Sequence, residues 1–387
     1  MEYKKLSNIA KLVGGFSFKS SNYVDEGLRV IRIANVQDGY ISDESPCFYP
    51  MDATKEIGDA LLESEDLLMS LTGNVGRVAF INKELLPAGL NQRVECIRPY
   101  DSELKQYLYY FFLSNRFKSD AVKNASGSAQ LNMSTVWLGN YPIPMHSKEK
   151  QKEIVLILST LQSAIKDSKA QLQLLDELVK SRFIEMFDGS PTISVEDVCE
   201  SFKIGPFGSA LHKNEISNSG YAFVLGTDNA VRNEFAIDEI RYINEEKYHQ
   251  LENYVAKPGE IIMSMMGTVG RVSIVPETLG RAIISSHLCI LRANKTIMLP
   301  KFFHLAFCKD EDIQCQIEGI HNGSIMKGFN LKIVKAFKIK CPPLNKQKEF
   351  ITFAELIDKS KFKVQKRIES LTELLNKKTD EFFGGDD

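Results

Sequence analysis

The 387-residue sequence lacks the marks of several large classes of protein. Its seven cysteines include no CxxC pair, which argues against both a disulfide framework and a thiolate zinc site. The histidines show no HxxxH spacing, so we expect no bound metal. No apolar run reaches the roughly 18 residues that a bilayer span needs, and the N-terminus carries no secretory signal. We therefore expect a cytoplasmic protein without membrane contact.

Catalytic signatures are also missing. The sequence has no GxxxxGK[ST] phosphate loop, no GxGxxG after a strand and no Asp/Asn-Pro-Pro-aromatic tetrad, since CPPL at 341–344 is a different sequence. The formal net charge of −2 lacks the excess of Lys and Arg that a broadly nucleic-acid-binding surface requires. We expect a non-catalytic protein whose nucleic-acid contacts, if it makes any, are local.

What the sequence does contain is an internal repeat. GNVGRV at 73–78 returns as GTVGRV at 267–272, an offset of 194 residues. The match extends outward, from DLLMSLTGNVGRVAFI to EIIMSMMGTVGRVSIV, and continues into LNQRVECIR at 90–98 against ISSHLCILR at 284–292. Each half of this pattern predicts a hairpin, a turn and a further strand.

The repeat continues to the end of each half. After the strand, each half has an aromatic segment with helical spacing, a Gly-Ser loop and a strand containing prolines. These segments are 104–117, 127–136 and 141–144 in the first half, and 299–310, 323–334 and 340–343 in the second.

A long helix then follows each half, and its apolar residues recur at alternating steps of four and three, which is a heptad seam. The first seam is Ile154, Leu158, Leu161, Ile165, Leu172, Leu175 and Val179, and the second is Phe350, Ala354, Ile357, Val364, Ile368, Leu371 and Leu375. Polar Ser168 and Lys361 each interrupt one seam. A seam that is apolar on one stripe needs a partner, so we predict that the two helices pair as a rod of roughly 50 Å.

Taken together, these motifs resemble the specificity subunit of a type I restriction-modification enzyme. The likeness covers nearly the whole chain and rests on the order and spacing of GNVGRV, GTVGRV, GSAQLNMS, GSIMKGFN, YPIPMHSKEKQKEI and IKCPPLNKQKEF. The resemblance implies an α+β fold in which two similar globular target recognition domains alternate with two helices that pair as an antiparallel coiled coil, with pseudo-two-fold symmetry. The expected boundaries are 1–148, 149–187, 190–344 and 345–384.

The resemblance also implies a function. Each globular domain would read one half of a bipartite, asymmetric site on double-stranded DNA, and the coiled coil would set the spacer and bind two modification subunits. We expect no cofactor on this chain, because the resemblance assigns S-adenosylmethionine to the modification subunits and ATP and Mg to the restriction subunits of the full complex. The alternative is a scaffold whose duplicated domains bind only proteins, which the near-neutral charge favours.

The repeated hairpin phrase contains the first candidate DNA contacts. Its glycines most simply serve a turn between two strands, while Asn74 and Thr268 stand inside the same phrase. Arg77 and Arg271 alternate with apolar neighbours on a strand. Each arginine therefore points to the polar side, where it is solvated, paired with a carboxylate or set against phosphate.

A second group of candidates lies at the turn that follows. Asn91, Gln92 and Arg93 form a compact polar run, and residues 285–287, including Ser286, stand at the equivalent place. Asn and Gln match the adenine edge and Arg matches the guanine edge, so this turn suits readout in the major groove. A solvated turn without function is the alternative.

Three weaker candidates come from other loops. Arg32 and Lys213 stand in polar loops of the two halves, and Lys327 brings a positive charge to the second Gly-Ser loop where the first has Leu131. Lys327 is a candidate for a phosphate contact.

Overall fold

The computed structural model describes residues 2–127, 130–206, 210–322 and 328–384. The chain forms two compact units: unit 1 comprises residues 1–169 with 365–387, and unit 2 comprises residues 170–364. Among the described residues, no helix combines the length and apolarity needed to cross a bilayer.

Unit 1 is built from short strands and helices. Its strands are β1 (Glu2–Lys5), β2 (Ala10–Gly14), β3 (Leu28–Ile31), β4 (Phe48–Tyr49), β5 (Leu67–Ser70), β6 (Val78–Phe80), β7 (Ala88–Leu90), β8 (Val94–Pro99) and β9 (Pro142–Met145). Its helices are α1 (Thr54–Ile57), α2 (Leu104–Leu113), α3 (Asn115–Asn124), α4 (Thr135–Asn140) and the first part of α5 (Lys148–Phe187). Short 3₁₀ helices lie at Leu6–Asn8, Ser20–Asn22, Met51–Ala53, Gly58–Ala60 and Lys83–Leu85.

Two sheets make up most of this unit. The four-stranded antiparallel sheet has the order β2-β8-β5-β6, and the three-stranded sheet has the order β4-β3-β7. In the second sheet β3 and β7 run parallel, with Ile31 opposite Leu90. β1 pairs separately with β9, with Tyr3 opposite Pro144. β5 reads LLMS and is buried along its whole length, because apolar residues cover both of its faces.

Unit 1 has an apolar core on each face of the four-stranded sheet. Leu68 and Cys96 point into the core shared with the three-stranded sheet, whereas Met69 and Ile97 point into the core shared with the helices. Neighbouring residues of a strand face opposite sides, which explains this division. The aromatic residues of α2 lie buried in the second core, so they serve packing.

Unit 2 repeats the same kinds of element. Its strands are β10 (Thr192–Ser194), β11 (Cys199–Ile204), β12 (Ala222–Leu225), β13 (Tyr242–Ile243), β14 (Ile261–Ser264), β15 (Val272–Ile274), β16 (Ala282–Ile284), β17 (Leu288–Ala293) and β18 (Lys338–Lys340). Its helices are α6 (Val195–Val198), α7 (Glu245–Gln250), α8 (Pro300–Lys309), α9 (Glu311–Asn322), α10 (Leu331–Ala336) and the first part of α11 (Leu344–Phe383), with 3₁₀ turns at Lys213–Glu215, Thr227–Asn229 and Glu252–Tyr254.

The sheet topology of unit 2 matches that of unit 1. The sheets have the orders β11-β17-β14-β15 and β13-β12-β16, and β12 and β16 are parallel. Each strand from β12 to β17 begins 194 residues after its counterpart from β3 to β8. The repeat detected in the sequence is therefore a repeat of the fold, and the α+β class with two similar globular domains is confirmed.

Two local predictions were wrong. The helix predicted over 104–117 is two helices, because Ser114 leaves the helical conformation and its hydroxyl accepts a hydrogen bond from the amide of Phe117 at 3.3 Å, capping α3. The strand predicted at 340–343 ends at Lys340 instead. Pro342 and Pro343 follow it and have no amide hydrogen with which to continue the strand pairing.

The long helices α5 and α11 pair in an antiparallel sense within each unit. In unit 1, Lys150 near the start of α5 lies over the ring of Phe382 near the end of α11, 5.3 Å from its centroid. In unit 2, Phe183 near the end of α5 packs on Phe350 near the start of α11, with centroids 5.4 Å apart. The paired helices of the predicted fold are thus present.

The side chains of the heptad seams line this pairing. Buried members are Ile154, Leu158, Ile165, Val179, Phe350, Val364 and Ile368, and partly buried members are Leu161, Leu172, Leu175, Ile357, Leu371 and Leu375. The polar interruptions have internal partners. Ser168 donates to the carbonyl of Ala164 at 2.7 Å, and the ammonium of Lys361 lies 2.8 Å from the carboxylate of Asp176.

Candidate nucleic-acid interface

The repeated phrase forms a tight hairpin turn in each unit, between β5 and β6 and between β14 and β15. Gly73, Gly76, Gly267 and Gly270 have φ angles of +75°, +79°, +76° and +75°, which residues with a side chain rarely adopt. A Cβ atom on Gly76 would also lie 3.3 Å from the Cβ of Ala121. These glycines therefore serve the turn, as the sequence predicted.

One serine hydroxyl stabilises each hairpin turn through two hydrogen bonds. The hydroxyl of Ser70 donates to the carbonyl of Asn74 at 2.6 Å and accepts from the amide of Arg77 at 3.1 Å. Ser264 makes the same two contacts with Thr268 and Arg271. Asn74 and Thr268 use their carbonyls for this contact and expose their side chains. The turn thus holds two different side chains at the same place on one backbone.

The two arginines of the repeated phrase differ in their surroundings. Arg77 is half-buried, and its Nη1 donates to Oε1 of Gln37 at 2.7 Å. Arg271 is exposed and makes no side-chain hydrogen bond or ion pair within the described parts of the chain. Val231 stands where unit 1 has Gln37. Arg271 is therefore free to contact a ligand, whereas Arg77 would first have to leave its amide partner.

We name residues 91–93 and 285–287 the read-out turns. Each begins where two parallel strands end: the amide of Asn91 donates to the carbonyl of Ile31 at 3.0 Å, and that of Ser285 donates to the carbonyl of Leu225 at 2.8 Å. A neighbouring strand crosses very close to them. A Cβ on Gly15 would lie 2.1 Å from the carbonyl oxygen of Asn91, so only glycine fits there.

Gly205 has the same role in unit 2, since its Cβ would lie 1.9 Å from the carbonyl oxygen of Ser285. Sequence reasoning missed both glycines. The signal that could have found them is their matched position, one residue after the end of β2 and of β11.

The hairpin turn and the read-out turn adjoin in each unit. The amide of Leu71, just before the hairpin turn, donates to the carbonyl of Arg93 at 3.0 Å. In unit 2 the amide of Met265 donates to the carbonyl of His287 at 2.8 Å. The structure thus places the start of the hairpin turn that contains Asn74 next to the 91–93 turn, and the start of the hairpin turn that contains Thr268 next to the 285–287 turn.

The Gly-Ser loop reaches the same place in unit 1. Gly73 donates to the carbonyl of Leu131 at 2.8 Å, and the hydroxyl of Thr72 donates to the side-chain oxygen of Asn132 at 2.9 Å. In unit 2 the amide of Phe329 donates to the carbonyl of Met265 at 2.8 Å. Lys327, the predicted phosphate contact of this loop, lies outside the described residues.

The side chains at the read-out turns differ in chemistry and exposure. Gln92 and Arg93 are exposed, while Asn91 is half-buried and accepts a hydrogen bond from the amide of Arg93 at 3.3 Å. In unit 2 Ser286 is half-buried and His287 is exposed. Two similar backbones therefore present an amide and a guanidinium in one unit and a hydroxyl and an imidazole in the other.

Lys213 and Ser286 line one cleft in unit 2, with a volume of about 630 Å³. Arg241, just before β13, lines the same cleft. Sequence reasoning missed Arg241 because its surroundings are those of an ordinary short strand. In unit 1, Arg32 is half-buried beside β3, and its Nη2 donates to the carbonyl of Ser45 at 2.7 Å.

Other charged side chains near these loops belong to the framework. Arg98 pairs with the buried carboxylate of Asp66 at 2.6 Å, and Arg292 pairs with Glu260 at the corresponding positions of unit 2. Glu95 is buried behind the read-out turn of unit 1, and burial raises the pKa of its carboxyl group to about 7. Within the described residues, no group of three or more metal-binding side chains comes together.

Comparison with known proteins places this arrangement in one family. The type I restriction modification DNA specificity domain matches residues 1–176 and again residues 188–373. The two matches cover most of the chain and correspond to the two halves of the internal repeat.

Individual relatives agree with this match. The type I restriction enzyme EcoBI specificity subunit of Escherichia coli is 22% identical over 95% of this chain and 83% of its own length. The type I restriction enzyme MjaVIII specificity subunit of Methanocaldococcus jannaschii is 27% identical over 46% of this chain. The alignments span 43% of the MjaVIII subunit and 32% of the EcoAI subunit of Escherichia coli, which is less than half of each.

Solved structures share the fold. The type I restriction-modification system S subunit from M. genitalium covers this whole chain with a TM-score of 0.54 at 15% sequence identity. A chain from a structural study of complex assembly and conformational transition of the type I R-M system covers 99% of it with a TM-score of 0.61 at 13% identity. The repeated topology, the paired long helices and the two family matches lead to one conclusion: the chain belongs to the family of type I restriction modification DNA specificity domains.

Proposed function

We propose that this chain is the non-catalytic subunit that reads DNA sequence for a type I restriction-modification complex. Each unit reads one half of a bipartite, asymmetric site on double-stranded DNA, and the paired helices set the spacer between the halves. One observation carries the proposal. The same cluster of loops recurs in both units with nearly the same backbone, while the side chains that it exposes differ.

That combination is what two different half-sites require. A backbone kept constant positions the contacts, and side chains that vary determine which base edge is accepted. Gln92 and Arg93 suit adenine and guanine, whereas Ser286 accepts either type of edge. Arg271 and Lys213 are the cations placed for phosphate contacts in unit 2, and the net charge of −2 means that such contacts are few.

The proposed function also implies the partners of the chain. The chain works with two modification subunits, which carry S-adenosylmethionine and the methyl transfer, and with restriction subunits, which use ATP and Mg. No cofactor binds this chain itself. Its place is the cytoplasm, where cellular DNA is available to the complex.

The deciding experiment is methylome sequencing of a host that carries this chain with its modification subunits. We expect one interrupted, asymmetric motif with a fixed spacer. Gln92→Ala relaxes one position of one half-site by about 1–3 kcal/mol of discrimination, and the matched change Ser286→Ala alters only the other half-site. A scaffold that binds only proteins produces no motif and no effect of either change on DNA modification.

A further inference from the structure

Both units place a guanidinium group beside the read-out turn, but they take it from different strands. In unit 1 it belongs to Arg32, directly after β3. The corresponding position of unit 2, 194 residues later, is Gly226, which has no side chain. Unit 2 takes its arginine from position 241, where unit 1 has Cys47. An alignment of the two halves therefore hides the correspondence between Arg32 and Arg241.

Backbone hydrogen bonds verify that these positions correspond. The amide of Val30 donates to the carbonyl of Cys47 at 2.8 Å, and the amide of Val224 donates to the carbonyl of Arg241 at 2.8 Å. The positions are therefore equivalent in the sheet as well as in the sequence, and only the side chain has moved from one strand to the other.

The two guanidinium groups occupy the same region of the fold. A Cβ atom on Gly226 would lie 2.6 Å from Nη2 of Arg241 and 2.9 Å from its Cζ. The guanidinium of Arg241 thus fills the space into which a side chain at 226 would extend. In unit 1 the side chain of Arg32 leaves from that position, and its Nη2 reaches the carbonyl of Ser45 at 2.7 Å, two residues before Cys47.

Each of these arginines keeps an unused donor. The Nε atoms of Arg32 and Arg241 are buried and have no hydrogen-bond partner. Oδ2 of Asp228, beside Arg241, is also buried and has no hydrogen-bond partner. Buried groups of this kind are rare because each loses its bonds to water without replacement. Their recurrence at one place in both units is a second sign that the two guanidinium groups are equivalent.

The charge around the two guanidinium groups differs. Arg241 donates to the carboxylates of Asp228 and Glu239, and unit 1 has Ala34 and Ser45 at those positions. Arg32 has no carboxylate partner among the residues described. Unit 1 therefore offers donors alone, whereas unit 2 offers a donor next to a carboxylate acceptor.

We propose that Arg32 and Arg241 are specificity-determining residues that contact DNA bases from equivalent positions, a proposal that rests on the function proposed above. Arg32 donates to the two acceptors of guanine, O6 and N7. Arg241 and Asp228 together match adenine, whose edge presents the N7 acceptor beside the N6 donor. The side chains of Arg241 and Asp228 are each 22% exposed, and Arg241 lines the 630 Å³ cleft that also contains Ser286 and His287.

The test uses the intact complex with its modification subunits and reads the methylated motif in a host genome. Arg32→Ala lowers the preference for guanine at one position of one half-site by about 10- to 100-fold and leaves the other half-site unchanged. Arg241→Ala does the same to an adenine in the other half-site. Arg281→Ala is the matched control, because Arg281 stacks on Tyr221 at the opposite end of β16, 4.3 Å from the ring centroid, and we expect the native motif.

Transferring the corresponding residues of unit 1 into unit 2 gives a sharper test. The triple change Gly226→Arg, Asp228→Ala and Arg241→Cys gives unit 2 the three residues that unit 1 has at 32, 34 and 47. Removing Arg241 and the carboxylate clears the space that a side chain at 226 needs, and the φ angle of Gly226, −116°, accepts any residue. We expect the adenine of that half-site to become guanine while the rest of the motif stays.

The possible results distinguish failure of this inference from failure of the proposed function. A native motif after both the single changes and the triple change overturns the inference. Equal loss of modification at all sequences, with a weaker dependence on salt, also overturns it, because that is the behaviour of a phosphate contact. If Arg241→Ala lowers the melting temperature, Arg241→Lys takes its place. Lysine keeps the charge but lacks the forked donors of arginine, so we expect Arg241→Lys to relax the base preference at the same position. Absence of any motif with the unchanged chain would instead refute the proposed function.

Discussion

Lengthening both long helices by one heptad should lengthen the spacer of the recognised DNA. α5 and α11 are each 40 residues long. The insertion points are between Lys169 and Ala170 and between Val364 and Gln365, which mark the boundary between the units. Seven residues add about 10 Å to a helix. At about 3.4 Å per base pair, the preferred spacer grows by about three base pairs.

Rotation gives a second expectation. Seven residues change the direction of a helix face by only about 20°, whereas three base pairs turn the DNA by about 100°, since a turn takes about 10 base pairs. One heptad therefore leaves the second half-site rotated away, and modification should be slow. Three heptads add about 31 Å, or about nine base pairs, close to one full turn of DNA. We expect that variant to modify its longer site faster than the one-heptad variant modifies its own.

The assay is methylome sequencing, followed by methylation rates on duplexes whose spacers differ by one base pair. Insertion of two residues in both helices is the control, because it turns each seam about 160° away from its partner and should break the helix pairing. A one-heptad variant that is folded and active at the original spacer would refute the reasoning that rod length sets the spacer.

Three further predictions concern stability. Asp66→Ala leaves Arg98 beside an empty, largely buried site and should cost about 3 kcal/mol in urea unfolding. Gly76→Ala should cost about 1–3 kcal/mol, because φ is +79° and the new methyl group would lie 3.3 Å from the Cβ of Ala121. Burial raises the pKa of Glu95 from 4.5 to about 7, so the folded protein holds this proton more tightly than the unfolded one and stability falls as pH rises between those values. Glu95→Gln should therefore add up to about 3 kcal/mol at pH 8 and nothing at pH 4.

Each of these has an internal control. Asp59→Ala removes an exposed ion pair with Lys11, and we expect it to cost much less stability than Asp66→Ala. Gly73→Ala changes a glycine of similar φ whose Cβ would meet, among the described residues, only Nε2 of Gln130 at 3.4 Å, so it should cost less than Gly76→Ala. Equal losses for Gly73 and Gly76 would show that crowding plays no part. A Glu95→Gln gain that is the same at pH 4 and pH 8 would show that proton binding by Glu95 does not control stability.

The repeat of the fold was predictable because a folding unit constrains its own sequence. Buried strands such as LLMS and IIMS need apolar residues on both faces, and the hairpin turn needs glycine at positive φ. Both requirements keep the same types of residue at the same spacing in the two halves, even where other positions have diverged. The heptad seams were predictable for the same reason, since Ile154 and Phe350 pack where their spacing places them.

The loop cluster was less predictable because its members are close in space and far apart in sequence. Nothing local in the sequence links Leu71 to Arg93, or Thr72 to Asn132, although hydrogen bonds join both pairs. Short-range effects also shifted element ends: Ser114 divides one helix by capping the next. Arg241 stands directly before an ordinary short strand, and only the folded sheet shows that its guanidinium fills the space beside Gly226.

The framework of each unit keeps its residues even where neighbouring positions have diverged. Asn35 accepts from the amide of Arg32 at 2.9 Å and donates to the carbonyl of Ser42 at 2.9 Å. Asn229 does the same with Gly226 at 2.7 Å and Ala236 at 2.6 Å. This amide holds the loop in the same path whether the residue three positions before it is arginine or glycine. A new half-site preference can therefore arise from a few exposed side chains, because the hydrogen bonds that shape the loop do not depend on them.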